Sequence, residues 1–200
     1  MKYIIIIISS YLIGSFPTAY ILGKLFKNID IRSFGSGNVG ATNAFRVLGK
    51  KIGSLTLIID LLKGFFPVFF IGLIFPSDYF NLQIISGFFI IMGHIFTIFL
   101  NFKGGKGVAS AAGFLFALTP VPMLFTVSVF LLVLLLSKYV SLGSIIAALS
   151  YPVFIFIWNP LIQLKIISFL LASIIVFKHK QNIVRIINGV ENKIPCFRKS

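Results

Sequence analysis

The chain has 200 residues, of which 58% are hydrophobic and only 11% charged, with a net charge of +14. That is too little charge to cover a water-soluble domain of this size. The bases fall between apolar runs instead of forming a patch, which speaks against a nucleic-acid partner and for a chain embedded in a lipid bilayer. The single cysteine, Cys196, excludes an intrachain disulfide and any cysteine-based metal site.

The apolar residues come in long runs, over residues 3–13, 52–74, 88–100 and 144–157. A spanning helix needs roughly 20 such residues, whereas barrel strands would be shorter and would alternate, so the class is an all-α integral membrane protein. In chain order, a first span is expected over 3–22. It resembles a signal peptide but has no small-residue cleavage pattern, so it reads as uncleaved. A basic segment follows over 23–51. A second span covers 52–75, a loop over 76–81 carries Asp78, and a third span covers 82–100. After a short basic loop at 101–107 comes an apolar stretch over 108–137, broken by Thr119-Pro120-Val121-Pro122. Further spans are expected over 141–157 and 161–177, with Asn159-Pro160 turning the chain between them and a basic tail after them.

The broken stretch decides the topology. As one helix it would be about 45 Å long, against a hydrocarbon core of about 30 Å. Two nearby prolines favour a break, giving short helices over 108–118 and 123–137. With that break, fifteen of the eighteen bases lie on one side, in 23–51, 101–107, Lys138 and 178–200. The positive-inside rule then gives about seven transmembrane helices, two of them short, with the N-terminus outside and the C-terminus cytoplasmic. No repeat is visible. The longest polar segment, about 30 residues, is below the size of a separate domain, so residues 1–200 are expected to form a single polytopic membrane domain.

Four polar segments share the basic side. The first includes Gly35, Ser36, Gly37, Asn38, Gly40, Thr42, Asn43 and Arg46. Glycines allow backbone N–H groups to approach an anion, and arginine grips phosphate with two parallel hydrogen bonds. A flexible linker would also be rich in Gly, Ser and Asn. The second segment holds Lys103, Gly104, Gly105 and Lys106 just before a helix start, where backbone donors, dipole and ammonium groups converge. It lacks the spacing of a Walker A loop. The third holds Ser141 and Ser144, for which capping and ligand roles weigh equally. In the fourth, His179 and Asn182 lie three apart on one helical face, and Arg185 continues it.

His94 lies inside the third span, where its expected role is hydrogen bonding between helices. Asp60 and Lys63, three apart in the second span, are expected to neutralise each other. The only acids are Asp30, Asp60, Asp78 and Glu191, and no paired carboxylates, metal cluster or Ser-His-Asp spacing appears. Such a site suits a substrate that already carries an activated phosphate, with catalysis by positioning and electrostatic stabilisation.

At these four segments the chain closely resembles the bacterial acyl-phosphate-dependent glycerol-3-phosphate acyltransferases. The family's Gly-Ser-Gly-Asn-x-Gly-Ala-Thr-Asn matches 35–43, with Arg46 in place. Its Gly-His and Phe-Lys-Gly-Gly-Lys-Gly-Val-Ala match 93–94 and 102–109, its serine motif matches Ser141 and Ser144 less distinctively, and its tail pattern with Gly-x-Glu matches 179–191. The resemblance implies transfer of a fatty acyl group from acyl phosphate to the 1-hydroxyl of sn-glycerol 3-phosphate, at the cytoplasmic face of the bacterial inner membrane. It implies catalytic roles for Ser36, Arg46 and Lys106. It implies substrate binding by Gly35, Gly37, Asn38, Gly40, Thr42, Asn43, Lys103, Gly104, Gly105, Ser141, Ser144, His179 and Asn182. The expected division has Arg46, Lys106, His179 and Asn182 holding glycerol 3-phosphate and residues 35–40 cradling the acyl phosphate, a substrate phosphate oxygen serving as base. No metal and no cofactor are expected, and functional coupling to the enzyme that makes the acyl phosphate is. Two rival readings are a transporter of phosphorylated metabolites and a structural membrane subunit. The first would move substrate across vesicles without making lipid, and the second would tolerate loss of the motifs.

Overall fold

The computed structural model describes residues 1–75 and 79–194. Pro76 to Asp78 of the expected 76–81 loop, and Cys196 in the tail, lie outside the described residues. The described chain is helical and divides into two compact units, residues 1–118 and 119–200.

In the first unit, α1 (Lys2–Ser15) and α2 (Thr18–Lys27) are separated at Phe16 and Pro17. Pro17 has no N–H for a helical ladder, and its ring disfavours the helical conformation at Phe16. The two helices together still form one apolar stretch of 26 residues. α3 (Ala41–Val47) is a short helix within the first basic segment, and α4 (Lys50–Ile74) is the long second span. α5 (Tyr79–Ile95) ends in a 3-10 turn at Ile98–Leu100, and α6 (Val108–Leu118) closes the unit.

Small residues let these helices approach closely. A Cβ added to Gly14 would run into the Ile90 backbone, and one on Gly93 into the Tyr11 carbonyl, so α1 and α5 meet backbone to backbone. Gly64 against Ser110 and Gly113 against Leu61 do the same for α4 and α6. In lipid this close packing replaces the hydrophobic drive that water would supply. A hydrogen bond of 2.8 Å between Ser10 and Ser86 adds a polar tie between α1 and α5. The large apolar residues of α4, among them Ile58, Phe66, Phe70 and Leu73, stay exposed, as lipid-facing positions do.

The second unit contains α7 (Pro120–Ser137), α8 (Val140–Trp158), α9 (Ile162–Lys178) and α10 (Lys180–Ile187). α7 starts at 120, three residues before the expected 123. Its prolines sit in the first turn, where an N–H has no intrahelical partner to lose. α7 and α8 pack through Phe125 stacked on Trp158, with ring centroids 4.8 Å apart, and Thr119 is hydrogen-bonded to Tyr151 at 2.7 Å. α10 turns by 56° from α9.

Among the described residues, five helical stretches are long and apolar enough to cross a membrane, or six with the bent pair α9 and α10. The expected count of seven included α6, which at 11 residues is about 16 Å long, half the hydrocarbon thickness.

Candidate active site

The first basic segment is a built structure, not a linker. Ile31, Val39, Ala44 and Leu48 are buried against Ala19 of α2 and Leu100. Asn43, 1% exposed, ties the loop together. Its Nδ2 donates to the carbonyls of Phe34 at 3.0 Å and Ile31 at 3.3 Å, and its Oδ1 accepts from the Ser36 N–H at 2.9 Å. Gly35 and Gly37 take positive φ, +62° and +70°, which an L side chain resists.

Residues 35–40 are expected to be a cradle of backbone N–H groups, yet in this conformation three of the six donors are spent internally. Ser36 N–H goes to Asn43, Gly37 N–H to the Phe34 carbonyl at 3.0 Å and Gly40 N–H to Asn38 Oδ1 at 2.9 Å. Asn38 and Asn43, expected as substrate ligands, turn side-chain polar atoms to the loop's own backbone. Ser36 is exposed, and Thr42 and Arg46 of α3 are half-buried. Arg32, by contrast, is committed to Asp30 at 2.7 Å and lies over the Tyr20 ring. The Arg32 hydrogen bond is the main reason the Asp30 carboxyl is held down at about 2.

The second segment folds back on the end of α5. Gly104 N–H donates to the Ile95 carbonyl and Gly105 N–H to the His94 carbonyl, both at 3.0 Å. These two glycines therefore serve close approach, and their N–H groups are not presented to an anion as the sequence reading had it. Lys103 is exposed, and Lys106 is half-buried one residue before the positive φ of Gly107, +81°.

Below this loop lies a polar set that the sequence showed only as scattered residues. Asp60 (1% exposed) is 2.8 Å from Lys63 and accepts from Thr18 Oγ1 at 2.8 Å. Lys63 also donates to the Phe16 carbonyl at 3.1 Å. His94 Nδ1 lies 3.4 Å from Ser110 Oγ and 3.9 Å from Asp60 Oδ1. The neutralisation of Asp60 by Lys63 and the interhelical bonding of His94 are both as expected.

In the second unit, Glu191 is the hub. Ser141 Oγ donates to its Oε1 at 3.0 Å, Asn182 Nδ2 to the same oxygen at 2.7 Å, and Arg185 Nε to Oε2 at 2.7 Å. Burial alone would raise the Glu191 carboxyl, but the hydrogen bonds from Arg185, Asn182 and Ser141 together outweigh it and hold it below its usual value. Glu191 was not among the candidate residues. Its signal was its rarity, one of four acids in the chain. His179, buried beside Asn182, points Nδ1 at the Ile175 carbonyl at 2.8 Å. A carbonyl only accepts, so Nδ1 carries a proton and donates it. Neither serine caps α8, since the N-cap is Tyr139, and Ser144 Oγ donates to the Val140 carbonyl at 2.9 Å. α8 and α9 also border an apolar cavity of about 390 Å³, lined by Leu149, Pro152, Phe169, Ala172, Val176 and Phe177 with Ser173.

Each carboxylate among the described residues thus has a cation within hydrogen-bond distance: Arg32 for Asp30, Lys63 for Asp60, Arg185 for Glu191. For Asp30 and Glu191, the partners stabilise the charged carboxylate and make it a weaker base. The described residues contain no group of three or more His, Cys, Asp or Glu able to hold a metal.

Comparison with known proteins places this arrangement. The family model for glycerol-3-phosphate acyltransferase matches residues 4–189. The glycerol-3-phosphate acyltransferase of Staphylococcus carnosus is 44% identical, over 97% of this chain and 98% of its own. That of Endomicrobium trichonymphae is 45% identical, over 98% of each. The crystal structure of PlsY, an integral membrane glycerol 3-phosphate acyltransferase, in its glycerol 3-phosphate form superposes with a TM-score of 0.91 at 38% identity, covering 97% of this chain and 96% of that one. The same enzyme in its lysophosphatidic acid form gives 0.88. The chain belongs to the glycerol-3-phosphate acyltransferase family of bacterial integral membrane proteins.

Proposed function

We propose that this membrane acyltransferase takes its acyl group from an acyl phosphate and delivers it to the 1-hydroxyl of sn-glycerol 3-phosphate. The hydroxyl oxygen bonds to the acyl carbonyl carbon, and the bond from that carbon to the phosphate oxygen breaks. The hydroxyl proton leaves on the departing phosphate, giving lysophosphatidic acid and inorganic phosphate. The observation that carries the reading is the family match over residues 4–189, which takes in the first three polar segments and the fourth as far as Gly189. The chemistry of the site agrees. An acyl phosphate is already activated and carries its own basic oxygens, so a protein whose described carboxylates are all paired with cations still has a base to use.

In the first unit, Ser36, Arg46 and Lys106 act on the phosphate-bearing substrates. With so many loop N–H groups spent internally, the cationic side chains Arg46 and Lys106 carry most of that recognition. In the second, Ser141, Ser144, His179 and Asn182 bind substrate. The apolar cavity bordered by α8 and α9 suits a fatty chain. The enzyme lies in the bacterial inner membrane with its polar segments at the cytoplasmic face and about seven membrane segments, the N-terminus outside. The parity that gathers fifteen of eighteen bases on one side supports this orientation. Because an acyl phosphate is a reactive mixed anhydride, coupling to the enzyme that makes it would limit hydrolysis.

The test supplies purified protein with labelled glycerol 3-phosphate and, separately, palmitoyl phosphate, an acyl-CoA or an acylated carrier protein. Lysophosphatidic acid from palmitoyl phosphate alone is the expected result. Product from a thioester would overturn the donor while leaving the acyltransferase.

A further inference from the structure

The buried set around His94 has no part in the reaction as derived so far, yet it touches the loop that carries Lys106. His94 is 7% exposed, at the end of α5. One edge of its ring, Nδ1, faces Ser110 of α6 at 3.4 Å and Asp60 of α4 at 3.9 Å. The other edge, Nε2, lies so close to Gly105 that a Cβ there would overlap it. The main chain holds the same turn, with the His94 and Ile95 carbonyls accepting from Gly105 and Gly104. On the far side of Lys106, a Cβ on Gly107 would press on Ile91 and Ile95 of α5. Lys106 is therefore carried between two residues seated on α5, and a histidine ring gripped by α4 and α6 fixes one of those seats. A buried histidine costs enough in a membrane to call for a reason, and packing alone would be met by an apolar residue.

We infer that His94 is a positioning residue for acyl transfer: its ring, oriented by Asp60 and Ser110, seats the turn of Gly104 and Gly105 and so sets where Lys106 presents its ammonium group. The inference rests on the reading of Lys106 as a ligand of substrate phosphate. Because the ring acts through Lys106, it affects the same substrate that Lys106 holds. Misplacing a phosphate-binding group by about 1 Å is enough for a ten- to hundredfold loss.

The experiment measures kcat and both KM values for Lys106→Arg, Lys106→Ala, His94→Ala, His94→Gln and the double variant His94→Ala with Lys106→Arg. Folding is followed by thermal unfolding in detergent. His94→Ala is expected to raise the KM of the same substrate that Lys106→Arg weakens, by about tenfold or more. The double variant is expected to cost no more than the worse single variant, since both act at one point. Costs that multiply, or a His94→Ala loss in a kinetic constant that Lys106→Arg leaves unchanged, would overturn the inference. So would wild-type kinetics in both His94 variants. If His94→Ala does not fold, Gly105→Ala displaces the turn from the other side, and the same comparison is made with it. Wild-type kinetics in Lys106→Ala would instead overturn the reading of Lys106 itself.

Discussion

The buried pair of Asp60 and Lys63 makes a quantitative case. The two charges sit 2.8 Å apart with side chains 1% and 7% exposed. At an effective dielectric of about 20, their attraction is about 6 kcal/mol. Desolvating both ions offsets much of this, so the pair itself adds little net stability. Removing one partner is another matter. Asp60→Asn keeps an accepting oxygen near Lys63 but removes its counter-charge, and an uncompensated charge in such a place costs about 3–5 kcal/mol. For a chain of this length that is an apparent Tm lower by about 6–20 °C. The double variant Asp60→Leu with Lys63→Met removes both charges. It leaves the Phe16 carbonyl short of one donor and Thr18 without its acceptor, at a cost of about 1–3 kcal/mol. The double variant is therefore expected to melt above Asp60→Asn, as followed by circular dichroism of purified protein in detergent. A double variant that melts at or below the single one would refute the electrostatic reasoning and leave packing as the cause.

Glu191 supplies a pH dependence. Its carboxyl is held below its ordinary 4.5, so the stability it contributes is complete above that value and is lost as pH falls through its lowered one. Unfolding midpoints measured downward from pH 6 should therefore drop below about pH 4.5 in the wild type and stay flatter there in Glu191→Gln. Asn182→Asp would set a second carboxylate 2.7 Å from Glu191 Oε1 in place of a donor, so it should lose more activity and stability at neutral pH than Asn182→Ser, by the same two assays. Gly113→Ala forces a methyl group into the Leu61 backbone, which cannot yield as a side chain can, and should cost about 1–3 kcal/mol in thermal unfolding. Lys106→Ala should cripple turnover while membrane insertion, followed by extraction and yield, stays as in the wild type.

The spans were readable because apolar runs of that length have one solution in lipid, and residues 108–118 form a helix with the ends expected from the sequence. The break after Leu118 was readable because proline has a local cause and effect. The inner structure of 23–51 was not. Its core residues Ile31, Val39, Ala44 and Leu48 follow no helical or strand period, and they acquire meaning only against Ala19 and Leu100, which tertiary packing supplies. Glycines at 35 and 37 marked backbone freedom, and those at 104 and 105 marked close approach. Whether the neighbouring N–H groups face a ligand or the chain itself depends on partners such as Asn43 and the Ile95 carbonyl, which no spacing reveals. Residue pattern alone left enzyme and transporter level, and the family match separates them.

Two of the helix breaks account for where two of the chain's four acids sit. A helix interrupted in lipid frees carbonyls that no water can meet, at several kcal/mol each if left alone. At the first break, Thr97 Oγ1 donates to the Ser15 carbonyl and Lys63 to the Phe16 carbonyl. Lys63 then needs a counter-charge, which Asp60 provides, and Asp60 takes the Thr18 hydroxyl at the start of α2. At the second break, between α9 and α10, His179 donates both its N–H and its Nδ1 proton to the Ile175 carbonyl. α10 then presents Asn182 and Arg185 to Glu191. At the first break Lys63 reaches the Phe16 carbonyl and Asp60 binds Lys63, and at the second Glu191 is held by the helix that His179 starts. Asp60 and Glu191 are half of the chain's four acids. Each of these two carboxylates sits where a broken helix has already brought a donor to it.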